Sequence, residues 1–240
     1  MPFPAPKYNP AKNLWLFFDP DLPPDNPSNW DDEFLDPFLN PTWIGITLSA
    51  ATYDVNMTVP SCLWLEVPSA GTNSTNVLKP IPPGDFTIFT KISQGRAQGS
   101  TSANGGLGLI LSDGVTAGAG NQMMGWANWN LANQPTLSIY TGVNFGSLSS
   151  GTDDYTMMPQ YIALRRQGTT YNWGWSMDGK VWTWRNSNPG FTPAYFGLFI
   201  RTTTAGRWDF AFDFFRYFPS GNLPTLGGPR LGGWRSAHYV

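Results

Sequence analysis

YNWGWSMDGKVWTWR, residues 171–185, is the stretch on which the fold turns. Tyr171, Trp173 and Trp175 fall on one side of an alternating run, the two-residue period of a β-strand. Asp178-Gly179 supplies a tight turn, and Val181 to Arg185 returns along it, so the stretch predicts a β-hairpin. Working outward, Asp85 to Ile92 alternates in the same way. Phe86, Ile88 and Ile92 lie on one face, Thr87 and Lys91 lie off it, and Thr90 is an exception. Leu107 to Leu111 is apolar throughout and bounded by Gly105-Gly106 and Asp113-Gly114, the pattern of a central strand covered on both sides. Thr136 to Tyr140, Tyr161 to Arg166, Tyr195 to Arg201 and Trp208 to Phe218 complete the set. In the last of these, Trp208, Phe210, Phe212 and Phe214 share a face opposite Asp209, Ala211 and Asp213.

Composition agrees with an all-β chain. Aromatic residues make up 15% of the 240 residues and charged residues 12%, with 26 Gly and 22 Pro. Many short strands joined by turns, with large rings filling a core between sheets, suit those proportions. The runs of Ala, Leu, Glu, Lys and Arg that long helices need are missing, and Glu33 and Glu66 are the only glutamates. Residues 1–29 are rich in proline, which removes backbone donors, so they predict an extended arm with little capacity for a strand ladder. Within that arm Leu14, Trp15, Leu16, Phe17 and Phe18 form an apolar patch expected to dock on the chain's own domain or on a neighbour. Residues 30–219 form the body, and residues 220–240 a glycine-rich second arm whose Trp234 and Tyr239 are its anchors.

A net charge of −2 argues against nucleic acid as a partner, because phosphate binding takes a basic patch. Arg165-Arg166 is the only adjacent basic pair, and on a strand one of the two faces solvent. Cys62 stands alone, so no internal disulfide is expected, and its apolar neighbours Leu63, Trp64 and Leu65 suggest a buried thiol. No apolar run approaches the ~20 residues of a membrane helix. The N-terminus lacks a basic start followed by an apolar stretch, so no signal peptide is expected.

Between Asp32 and Phe218 several pieces resemble the concanavalin A-like lectin/glucanase superfamily, in particular domains appended to bacterial glycoside hydrolases. They are Asp32, Phe34 and Trp43; the Gly-Leu-x-Leu strand from Gly106 to Leu111; Ser176, Asp178, Gly179 and Trp182; and Phe212, Asp213 and Phe215. The resemblance implies a two-sheet antiparallel jelly roll in which these residues are mainly architectural. Its members include glycan binders, glucan hydrolases and scaffolds, so it speaks to fold before function.

Catalysis is not expected. Retaining glycosidases place two carboxyl groups about 5–5.5 Å apart and inverting ones about 6.5–9.5 Å apart. Glu33 and Glu66 lie outside any closely spaced acidic motif. Asp209 and Asp213 are separated by about 13 Å of strand. Asp153-Asp154 belongs to a solvated loop or, at best, a weak calcium site. His238 and Cys62 are too few for a zinc site or a nucleophile triad, and no cofactor is expected. Glycan binding is the functional expectation that survives. Sugars offer apolar faces and hydroxyl edges, which aromatic platforms beside Asn meet. Trp126, Asn128, Trp129 and Asn130 have that composition, as do Trp173, Trp182 and Trp184 with Asn172 and Asn186, although Trp173 and Trp175 are expected in the core. Two arms around a lectin-like body predict a non-catalytic virion structural protein, made in the host cytoplasm, that assembles with itself and with other virion proteins and contacts host-surface glycans. A free-standing lectin and a diverged hydrolase are the alternatives.

Overall fold

The computed structural model describes residues 7–9, 14–16, 30–68, 73–99, 105–115, 121–125, 128–130, 134–143, 149–153, 159–202 and 206–219. Regular structure in them is entirely β. The strands are β1 (Lys7–Asn9), β2 (Leu14–Leu16), β3 (Ile44–Leu48), β4 (Thr52–Val55), β5 (Leu63–Val67), β6 (Asn73–Pro80), β7 (Phe86–Gly99), β8 (Gly105–Ser112) and β9 (Asn121–Gly125). They continue as β10 (Asn128–Asn130), β11 (Gln134–Val143), β12 (Ser149–Asp153), β13 (Tyr161–Gln167), β14 (Thr170–Ser176), β15 (Thr183–Asn186), β16 (Tyr195–Thr202) and β17 (Gly206–Phe218). The chain divides into two units, Ser28–Leu223 and a second made of Met1–Pro27 with Pro224–Val240.

In the terminal unit β1 pairs antiparallel with β2, Tyr8 opposite Trp15. The N-terminal arm, expected to have little capacity for a ladder, thus holds this three-residue pairing. Both runs are free of proline, so their backbone donors remain available. Leu14, Trp15 and Leu16 are β2 itself, while Phe17, Phe18, Trp234 and Tyr239 lie outside the described residues.

The larger unit is two antiparallel sheets. One has eight strands in the order β10-β11-β9-β8-β16-β6-β3, with β12 beside β11; the other has seven in the order β15-β14-β13-β7-β17-β5-β4. Their facing sides form the core, with Ile88, Leu164, Trp173 and Phe212 from the seven-stranded sheet meeting Leu109 and Leu198 from the other. Trp173 reaches across to the opposite sheet. A Cβ on Gly125 in the opposite sheet would sit 2.3 Å from its ring, so glycine there lets the indole lie against bare backbone.

Two register shifts between β7 and β17 correct the sequence reading of the last strand. From Phe212 to Phe215 the partners advance only from Ile92 to Thr90, so β17 holds one extra residue, a β-bulge. The bulge turns Phe215 into the core in place of Phe214, which joins the outer face with Arg216 and Phe218. Thr90, the break in the alternation of β7, faces the bulge and donates its hydroxyl to the Phe214 carbonyl. The second shift, between Ala211 and Phe212, places its extra residue on β7, which advances from Gln94 to Ile92 while β17 advances by one. Asp153 ends strand β12 and does not lie in a loop, while Asp154 is outside the described residues.

The Asp32, Phe34 and Trp43 motif closes one end of the sandwich. The Asp32 carboxylate accepts from the Phe34 backbone N–H and from Trp43 Nε1, both at 2.7 Å. Beneath it the Lys79 side chain is fully buried, its Nζ donating to the Trp30 carbonyl at 3.0 Å and lying 4.4 Å from the centre of the Trp43 ring. Burial lowers the Lys79 pKa to about 8, against the opposing pull of Asp32 and Asp31. From that pKa up to the ordinary 10.5 the unfolded chain holds a proton that the folded one has lost. This group's contribution to stability therefore rises with pH across the window, by on the order of 2–3 kcal/mol. Lys79→Met removes the effect. Urea unfolding from pH 7.5 to 10 should show wild type gaining on the variant, and parallel pH profiles would contradict the assignment.

Candidate functional site

The sequence-predicted glycan contacts divide between the sheets. Asn128, Trp129 and Asn130 are β10, paired with β11 and β8 in the eight-stranded sheet, and Trp126 lies outside the described residues. Trp184 and Asn186 are β15, the edge of the seven-stranded sheet. The two groups therefore do not form one site, and only the second comes with side chains that can be followed.

Strand register assembles two rows across the outer face of the seven-stranded sheet, the side turned away from the core. The first runs Asn186, Asn172, Arg165, Thr87 and Phe218, each opposite the next on β15, β14, β13, β7 and β17. Three interstrand steps put its four polar residues along about 14 Å. The second row runs Trp184, Gly174, Ala163, Phe89 and Arg216. Its small middle members leave space that rings from either side occupy. A Cβ on Gly174 would lie 2.6 Å from the Trp184 ring, so the indole rests on that glycine.

The turn motif supplies the next ring. Ser176 Oγ donates to Asp178 Oδ1 at 3.0 Å and accepts from the Gly179 N–H at 2.9 Å, with Gly179 at a φ of 74° that favours glycine. The backbone N–H groups of Val181 and Lys180 donate to Asp178 and hold its carboxyl below the ordinary value. These bonds widen the connection, so β15 begins at Thr183 and not at Val181 as the sequence predicts. They also deliver Trp182, whose Nε1 donates to the Gly179 carbonyl at 3.0 Å. Its ring stacks on Trp184 at 5.7 Å and meets Phe89 edge-on at 6.3 Å. Phe89 stacks in turn on Phe218 at 5.7 Å and meets Phe214 edge-on at 5.3 Å. An aromatic strip thus crosses the sheet, with Trp182, Trp184 and Phe218 half-buried and Phe89 and Phe214 beneath them.

The charges along this face are mostly paired. Arg216 lies over Phe214 and pairs with Glu33, and Lys91 lies 3.4 Å from Asp213. Arg207 bridges Glu66 at 2.7 Å and Asp209 at 3.4 Å. Arg165 makes no ion pair among the described residues. Its guanidinium lies 4.3 Å from the centre of the Trp184 ring, and its buried Nε has no hydrogen-bond partner, nor does Oγ1 of the fully buried Thr87 beside it.

Sequence reasoning missed Glu66 opposite Asp209, two carboxyl-bearing residues made neighbours by the pairing of β5 with β17. It also missed Arg165, Thr87 and Phe218, which come from strands far apart in the chain.

No protein-family model matches the chain, and no curated relative does. Solved structures do match. A functionally unknown protein from Saccharomyces cerevisiae superposes with a TM-score of 0.52 at 13% identity, over 76% of this chain and 98% of that one. The GH43 protein BlXynB from Bacillus licheniformis gives 0.52 at 13%, and GH43B of a Bacteroides ovatus xyloglucan locus gives 0.53 at 14%. Each of these covers 79% of this chain, which spans only 39% of theirs. At these identities the likeness establishes the fold and no more, a two-sheet antiparallel jelly roll.

Proposed function

We propose that the body is a non-catalytic glycan-binding domain, displayed by a virion structural protein that assembles through its terminal segments. One observation carries the binding reading: the stacked pair Trp182 and Trp184 lies half-exposed beside a polar row of Asn186, Asn172 and Arg165. Indole faces suit the apolar faces of sugars, and amide and guanidinium groups suit their edges. Fixing both on strands of one sheet keeps the arrangement rigid, which limits the ordering lost on binding.

Support for a non-catalytic site comes from an acidic pair among the described residues that could suggest otherwise. Glu66 and Asp209 are cross-strand neighbours, close to the spacing of a retaining glycosidase. Arg207 binds both, and Asp209 is only 1% exposed, out of reach of a glycosidic oxygen. The virion setting rests on the sequence alone, on an apolar patch at Leu14 to Phe18 within a proline-rich arm.

Screening the full chain on a glycan array, and then incubating it with the glycans it retains, tests the proposal. Binding without released products is expected, together with an oligomer by light scattering that is lost on deleting residues 1–27. Released sugar would replace the lectin reading with the hydrolase, and a full chain that binds nothing would end the glycan reading. A monomer at high concentration would remove the assembly role.

A further inference from the structure

We propose that the outer face of the seven-stranded sheet selects an acidic sugar, whose carboxylate or sulfate docks on Arg165. The inference rests on the glycan-binding reading and specifies its ligand class. Two observations converge on Arg165. First, the other cations followed on this face, Lys91, Arg207 and Arg216, are each matched by a carboxylate from Asp213, Glu66 with Asp209, or Glu33. Arg165 has none among the described residues, so its positive charge is uncompensated. Second, its guanidinium is held on the Trp184 ring, 4.3 Å from the centroid, and Trp184 is itself seated on Gly174 and against Trp182. A stacked guanidinium has already lost most of its side-chain freedom and presents its planar fork for two-point binding of an oxyanion.

A neutral hydroxyl would leave the Arg165 charge unmatched. An oxyanion on a sugar ring matches the Arg165 charge, and its ring hydroxyls reach Asn172 beside it. The Trp182 and Trp184 rings then take the apolar face of the same or the adjoining sugar.

The test is titration of the full chain with matched glycan pairs: sialylated against asialo, uronate against its methyl ester, sulfated against desulfated. Within at least one pair the acidic member should bind about tenfold tighter or more, with the preference shrinking at high salt. The arms separate carboxylate from sulfate. Arg165→Gln should erase the preference, so that the acidic and neutral members bind the variant alike, with the melting temperature nearly unchanged. Arg165→Lys, which keeps the charge but loses the fork, should retain part of it. Neutral and acidic members binding alike, or a preference that survives Arg165→Gln, would overturn the acidic-sugar assignment and leave the lectin reading standing. No binding by any member would overturn both.

Discussion

Trp173→Ala should destabilise the domain by about 3–5 kcal/mol, the range for a fully buried tryptophan. Trp173 is 0% exposed, and its ring fills the space over Gly125 in the opposite sheet. Its Nε1 also donates to the Ser187 carbonyl at 3.1 Å, so truncation opens a cavity and strips an acceptor together. Against a total of about 5–15 kcal/mol the loss is a large fraction. The expected fall in melting temperature is ~6–20 °C for a domain of this size. A thermal scan beside Trp182→Ala, on the outer face, makes the comparison. Trp182→Ala should fall much less, because that ring is half-buried and packs on one side of a single sheet. Equal falls would mean that the outer strip is a second core.

Trp184→Ala should weaken glycan binding by about thirtyfold or more, a loss near 2 kcal/mol that is typical of an aromatic anchor. The ring does three things at once. It offers its own surface, it positions Trp182 at 5.7 Å, and it holds the Arg165 guanidinium at 4.3 Å. Stability should change little, since β15 is an edge strand and the core lies on the other side of the sheet. Trp129→Ala, on β10 in the other sheet, should leave affinity unchanged. Calorimetric titration of both variants with one glycan decides between the two faces. A loss in Trp129→Ala with none in Trp184→Ala would move the site.

Much of this was legible because strand alternation is a local signal. Tyr171, Trp173 and Trp175 point to the core for the reason the sequence indicates, and Trp182, Trp184 and Asn186 share a parity that sets them opposite. The bulge in β17 also left a trace, since adjacent Phe214 and Phe215 cannot both keep a two-residue period. β6 was hidden for the opposite reason. Its Asn73-Ser74-Thr75-Asn76 start has poor strand propensity, and its core-facing Lys79 breaks the apolar pattern. The site was half legible. Trp184 and Asn186 lie on one short strand, but Arg165 and Thr87 become neighbours only when β13 pairs with β7. Glu66 and Asp209 meet by the same kind of long-range register, which no local spacing can reveal.

The central claim is that the outer face of the seven-stranded sheet is where a glycan binds. The chain has 12 tryptophans, and each indole N–H gives its own nitrogen–proton NMR signal. Titration with the tightest-binding glycan from the array should move the signals of Trp182 and Trp184 and leave buried Trp173 and Trp208 in place. Shifts confined to Trp126 and Trp129, with Trp182 and Trp184 unmoved at saturation, would contradict the account.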